Sequence, residues 1–271
     1  GVILHYKGNT VQVYDASSLE HNGVAKSNGT FEWVGGRNAA TDSSNTAIQF
    51  SGDDWVEVPA TSRLDLTTNF AIEASVYPTA DTWGGIIARG RADAGSYEIW
   101  HETGNRISFR YNWKAATDSW DFQLFTPNNS VPLNQWTQIK VVYTDKYATI
   151  FLNGQPVASG SSPTNPMVIS GGWLEIGCNH AGGSPAAYEF YRGRIDNVRI
   201  SSSGMSDTYD GSEVMRIANV EPSVPFVYLK EVTDATYGYP SGSKTSRTRY
   251  EYDAHGNVIR EYRDGDTSIP T

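Results

Sequence analysis

The sequence predicts an all-β chain: a two-sheet antiparallel sandwich, a short closing helix and a C-terminal β-hairpin tail. Three observations carry this. Between Ala47 and Ile200 the segments AIQFSGDDWVEVP, FAIEASVYP, GGIIARG, RISFRYNW, WTQIKVVYT, ATIFLNGQPV, WLEIG and GRIDNVRI follow one another. Each holds a run of about four to eight residues rich in Val, Ile, Phe, Tyr and Trp that alternates apolar with polar. Gly, Pro, Asn or Asp bounds each run. The length, 271 residues, accommodates one large sandwich and a smaller piece, since all-β domains reach about 200 residues as one unit.

In chain order, HYKGNTVQVYDASSLEHNG reads as a strand and a polar loop, and residues 31–58 supply two more short strands around GGRNAATDSSNT. The apolar runs quoted above then build the two sheets. After Ile200 the pattern changes: SDTYDGSEVMRIANVEP carries Val214, Ile217 and Ala218 at helical spacing, and Pro222 stops the run. A short helix is expected there. From Val224 onward FVYLKEV reads as a strand, Gly238–Ser246 as a Gly/Ser-rich stretch, and TRYEYDAHGNVIREYRDGD as a hairpin. The expected divisions are 1–203 for the sandwich, 204–223 for helix and linker, and 224–271 for the tail.

Composition excludes some partners. With 30 acidic against 21 basic residues the net charge is −9, and no Lys/Arg cluster appears. Nucleic acid and anionic membrane are therefore not expected as partners. Cys178 stands alone, so no intrachain disulfide is expected and the thiol should behave as a small hydrophobe. No stretch approaches the ~20 apolar residues of a spanning helix. The 8 Trp and 16 Tyr exceed what the inward faces need, which leaves rings for ligands.

The segments AIQFSGDDWVEVP, VPLNQWTQIKVVY, FLNGQPV and GRIDNVRI resemble the laminin-G-like members of the concanavalin A-like jelly rolls, over roughly the first three quarters of the chain. The resemblance implies a jelly-roll sandwich over 1–203 and makes Trp136 a core tryptophan. In the tail, Tyr250, Tyr252, Asp253, Gly256 and Asn257 match the Y-x-Y-D-x-x-G-N pattern of the tyrosine–aspartate repeat of RHS and teneurin-like proteins. In such a hairpin the Asp accepts from turn amides and the Gly takes a positive φ. One good copy is present, with a weak echo at 264–266. Repeat arrays need about three units, so the chain reads as a piece of a longer protein; the alternative is a lone hairpin tail.

Jelly-roll glycosidases carry E-x-D-x-x-E on one strand, and no such run occurs. The nearest pair, Glu98 and Glu102 in SYEIWHETG, is expected to straddle a turn at Glu102–Asn105 and to be solvated. His101, Arg110 and Tyr111 are close in sequence, but alternation puts Arg110 and Tyr111 on opposite faces, against a lyase set. No G-x-S-x-G is present, and Cys178 with His180 reads as a strand end. No catalytic residue is assigned.

A binding face is better supported. If Ile107, Phe109, Tyr111 and Trp113 face the core, then Ser108, Arg110 and Asn112 face out, and Ile99 inward turns Glu98 and Trp100 outward. An exposed indole beside a fork donor, an amide and a carboxylate suits a sugar ring, which stacks and hydrogen-bonds. The alternative is that residues 114–121 cover Trp100. Trp83 and Trp120, in polar loops, border the same cleft or plug a sheet edge.

The family resemblance also implies a structural calcium tying the N-terminal segment to the last long strand through Asp15 and Asp196, with Asn22 a weaker member. Calcium takes about six to eight oxygens, so carbonyls from the Ser17–Gly23 loop would have to complete the shell; the alternative is that these side chains cap turns. The function expected is a non-catalytic carbohydrate- or surface-ligand-binding module of a larger secreted or cell-surface RHS/YD-type protein. A jelly-roll polysaccharide lyase or glycosidase, and a structural or adhesion spacer that binds protein, are the alternatives. Neutral glycans are preferred, because Arg110 alone is too little charge for acidic ones.

Overall fold

The computed structural model describes residues 11–13, 15, 21–27, 32–43, 45–90, 96–112, 121–166, 168, 172–180, 187–202, 213–217, 231–239, 242–252 and 258–264. The chain divides into two compact units, Gly1–Glu221 and Pro222–Thr271.

In the first unit the strands run β1 (Val11–Val13), β2 (Gly23–Ser27), β3 (Glu32–Gly35), β4 (Thr46–Ser51), β5 (Asp54–Val58), β6 (Asn69–Pro78), β7 (Gly84–Arg89), β8 (Tyr97–Glu102) and β9 (Arg106–Tyr111). They continue as β10 (Phe122–Phe125), β11 (Thr137–Thr144), β12 (Tyr147–Leu152), β13 (Gln155–Ser161), β14 (Leu174–Ile176), β15 (Asn179–His180), β16 (Ala187–Tyr188), β17 (Arg192–Ser201) and β18 (Glu213–Ile217). The first sheet has the order β1-β2-β5-β14-β7-β8-β9-β10. The second has the order β13-β12-β11-β6-β17-β4-β3, with β18 also on β17. All these ladders are antiparallel, which is the sandwich expected.

Alternation puts the core between the sheets. In β6 and β11 the pairs Phe70↔Tyr143, Ile72↔Val141 and Ala74↔Ile139 are buried, and in β8 and β9 so are Tyr97↔Tyr111 and Ile99↔Phe109. Phe70 is the hinge of that core. Its ring stacks on Tyr143 at 4.8 Å and meets Tyr97 and Phe109 of the facing sheet at 5.8 and 6.3 Å. The FLNGQPV hairpin closes on Asn153 (φ 49°) and Gly154 (φ 80°), the Asn-Gly pair that a two-residue turn with two positive φ values favours.

One expectation is corrected. Glu213–Ile217 is strand β18, not a helix, antiparallel to β17 with Ile200↔Met215. The reason lies in the partner: β4 covers β17 only over Arg192–Ile195, and the open edge over Val198–Ser201 is paired by β18, which buries Met215 completely. Ala218 and Pro222 lie outside the described residues. In the second unit the hairpin expected over TRYEYDAHGNVIREYRDGD is β20 (Gly242–Tyr252) paired antiparallel with β21 (Val258–Asp264), and β19 (Glu231–Tyr239) adds a third antiparallel strand on β20. The expected Gly/Ser-rich stretch is taken up into β19 and β20; Asp253, Gly256 and Asn257 lie outside the described residues.

Candidate functional site

The site lies on the face of the first sheet turned away from the core. β8 and β9 pair Glu98↔Arg110, Trp100↔Ser108 and Glu102↔Arg106, so these side chains share the face opposite Tyr97, Ile99 and Phe109. The glycines of β7 set what stands beside it. A Cβ on Gly85 would meet the Cys178 backbone at 2.6 Å, so only glycine lets the 178–179 segment pass this close.

The direction of these side chains is as the alternation required; their exposure is not. Trp100 is 1% exposed, Glu98 and Asn112 are fully buried, and Arg110 is 5% exposed. Trp100 is therefore no open stacking platform. Trp83 packs over it, ring centroids 5.4 Å apart at 50°, and Trp83 is the ring that meets solvent, 47% exposed. Alternation gives the face of a strand but not what a neighbouring loop lays across it. Asn112 is corrected too: its Oδ1 accepts from the Asp121 amide at 3.0 Å, fixing the end of β9. Trp120 lies outside the described residues.

Glu98 and Glu102 do point together, against expectation, because β8 runs through Glu102 and the turn begins after it. They are not solvated. Trp100 Nε1 donates to Glu98 Oε2. Glu102 Oε1 accepts from Arg110 Nη2 and Ser108 Oγ, and its Oε2 accepts from Trp83 Nε1 at 2.6 Å. Arg110 Nε also donates to Ser108 Oγ at 3.0 Å. The Arg110 guanidinium lies 5.0, 5.6 and 5.8 Å from the Trp100, Trp83 and Phe125 ring centroids, and Arg106 lies 4.6 Å from Phe125. One cation thus locks three rings and a carboxylate.

Burial pushes the Glu98 carboxyl well above the ordinary carboxylate range. The Trp100 bond and the Arg110 charge oppose that, and Glu189 and Glu175 add to it. Glu189 is raised as well, chiefly by burial. Around these, Trp55 Nε1 donates to Glu57 Oε1 at 3.1 Å, and Lys26 lies 3.4 Å from Glu57 Oε2. Trp55 packs on Phe190 with centroids 5.8 Å apart. Glu57, Glu175, Glu189 and Phe125 were missed in the sequence, although Glu57 and Glu175 are the lone charges inside the apolar runs VEV and LEI.

The lyase trio is dispersed. Arg110 is on the outer face, Tyr111 sits in the core with its hydroxyl donating to Thr164 O at 3.1 Å, and His101 Nδ1 is 2.9 Å from Thr82 O. Cys178 is buried, 4.0 Å from Glu175 Oε2, and burial raises its thiol; the His180 side chain lies outside the described residues.

Of the calcium set, Asp15 and Asn22 come together: Asn22 Oδ1 accepts from the Asp15 amide at 2.9 Å and Asp15 Oδ2 from the His21 amide at 2.8 Å. Asp196 Oδ2 accepts from the Arg37 amide at 2.8 Å. The first two bonds link residues seven and six apart in sequence, and the third joins β17 to Arg37 at the start of the 37–41 turn. Among the described residues no three or more His, Cys, Asp and Glu gather as a metal set. Residues 16–20, expected to supply carbonyls, lie outside the described residues.

The family model of the concanavalin A-like lectin/glucanases superfamily matches residues 50–208. The chain belongs to this superfamily. Its jelly-roll sandwich is shared with solved structures at low identity. Tailspike protein 2 of bacteriophage CBA120, in its enzymatically active domain, is 10% identical with a TM-score of 0.50 over 70% of this chain and 32% of that one. Domain 4 of AbnA, a GH43 extracellular arabinanase from Geobacillus stearothermophilus in complex with arabinotriose, is 14% identical with a TM-score of 0.47 over 78% and 96%. Mouse laminin α1 chain domains LG4-5 are 12% identical with a TM-score of 0.44 over 64% and 46%. No curated protein matches this superfamily member.

Proposed function

We propose that the sandwich is a non-catalytic carbohydrate-binding module of a larger secreted or cell-surface protein, in which the second unit opens an RHS/YD-type region. The observation that carries the reading is Trp83: an indole 47% exposed, seated on Trp100 and tied to Glu102. A held, half-open ring offers a sugar an apolar face at little entropic cost, beside charged groups that accept and donate. Membership in a lectin/glucanase superfamily supports the ligand class.

Hydrolysis is the second reading, favoured by Glu98 and Glu102 sharing one face, with burial raising the Glu98 carboxyl and Glu102 paired to Arg110. Four residues along a strand separate their Cα atoms by about 13 Å, whereas acid and nucleophile or base stand about 5–10 Å apart at the carboxyls. Trp100 fills the space between them. Binding without cleavage is the reading proposed.

The test is retardation of the full chain in gels cast with neutral polysaccharides, with calcium and with EDTA, while the buffer is assayed for sugar products. Retardation without products, lost in Trp83→Ala, is expected. Products would replace this reading by hydrolysis, and no retardation on any glycan would leave a protein-binding spacer. Asp15 and Asn22 come together and Asp196 bonds Arg37; a calcium ion held by these residues is expected to show as retardation or melting temperature lowered in EDTA, and identical behaviour in EDTA would count against it.

A further inference from the structure

The outer face of the first sheet carries more acceptors than donors. Glu57, Glu98, Glu102, Glu175 and Glu189 stand on or beside it, against Lys26, Arg110 and, at the Phe125 end, Arg106. The donors near its centre are committed. Arg110 serves Glu102 and Ser108, Trp83 serves Glu102, Trp100 serves Glu98, and Asn179 Nδ2 serves Glu189 Oε2 at 3.3 Å.

Two acceptors remain without a donor. Glu98 Oε1 and Asn179 Oδ1 have no hydrogen-bond partner, on side chains of residues 0% and 7% exposed. A buried polar atom left unpaired costs about 1–3 kcal/mol, so this pair is a standing demand for donors. Glu189 links the two, accepting from Asn179 and acting electrostatically on Glu98.

A sugar hydroxyl brings an acceptor with its donor, whereas a primary ammonium brings three donors, a positive charge and no acceptor. We infer that the ligand of this face is a glycan bearing free primary amines, one ammonium lying among Glu98, Glu189 and Asn179. This rests on the glycan-binding reading and narrows it from neutral glycans. An oligosaccharide stacked on Trp83 lies beside the set, because Trp100 beneath that ring is itself bonded to Glu98. Glu98 faces Trp100 and Glu102 on its own strand, Arg110 on β9, Glu175 and Cys178 at β14, and Glu189. Burial disfavours the Glu98 carboxylate and an ammonium beside it favours that form, so binding draws Glu98 toward its carboxylate and any proton it gives up passes to buffer.

The experiment is titration calorimetry of the full chain at about 0.15 M salt, where exposed charges are screened beyond ~8 Å. The probes are short β-1,4-linked oligomers of glucosamine, N-acetylglucosamine and glucose. The glucosamine oligomer is expected to bind at least about ten-fold more tightly than the others, roughly 1.4 kcal/mol. Glu98→Gln and Glu189→Gln, each checked for a cooperative thermal transition no lower than that of the wild type, should remove that preference. Glu32→Gln, which removes one exposed charge from β3 of the other sheet, should keep it. Equal binding of all three oligomers overturns this inference and leaves the glycan-binding reading intact. Binding of none overturns both. A preference that survives in both site variants, or that Glu32→Gln also removes, overturns the assigned place and reduces the effect to the net charge of −9.

Discussion

Trp83 and Trp100 touch one another yet have opposite surroundings, and the difference comes from their partners. Trp100 donates to a carboxyl that is itself buried, while Trp83 donates to Glu102, whose charge Arg110 balances. Glu98 therefore carries a stability signature. Its folded pKa is raised above the 4.5 of the free side chain. Such a group contributes most below the unfolded pKa, and the contribution is lost as pH rises through the folded value, because the unfolded chain ionises first. Glu98→Gln cannot ionise and escapes that loss. Its melting temperature is expected to match the wild type near about pH 4 and to exceed it increasingly toward neutrality, as thermal unfolding across pH would record. A difference that stays flat with pH would mean that the fold does not raise the Glu98 carboxyl. Glu189, raised in the same direction, is common to both proteins and cancels in the comparison.

At the scale of elements, β18 shows how a partner overrides a pattern. Val214 and Ile217 are three apart and suit a helix, but Met215 and Ile217 are two apart and suit a strand. What decides is the stretch of β17 that β4 leaves unpaired. Met215→Ala is accordingly expected to cost about 2–4 kcal/mol, read from denaturant midpoints at an unchanged slope; a loss under about 0.5 kcal/mol would place Met215 on the surface. The same limit governs the site. Strands with strict alternation, such as β6, β9 and β11, were legible because a register slip would move Phe70, Phe109 or Val141 out of the core. The shared face of Glu98, Trp100, Arg110 and Ser108 followed from that alternation. The lid, Trp83, and the neighbours Glu175 and Glu189 come from segments distant in sequence, and no local period encodes their approach. Asn112 was misread for a related reason, since an amide at a strand end is as useful to the following loop as to a ligand.

At the scale of the whole molecule, the two units differ in what each can bury. The first closes a core between two sheets of eight strands, with Phe70, Tyr97, Phe109 and Tyr143 packed at its centre. The second is a single sheet of three strands. A sheet of that size needs a covered face to be stable, whether from repeat neighbours or another partner. Residues 1–221 should therefore fold alone, with one cooperative transition within about 2 °C of the full chain and unchanged retardation on the glycan gel. Mild proteolysis of the full chain should converge on a fragment ending near residue 221, identified by mass. A fragment 1–221 that melts far below the full chain would show instead that the second unit contributes to the stability of the sandwich, and the boundary would then divide contacts without dividing the folding unit.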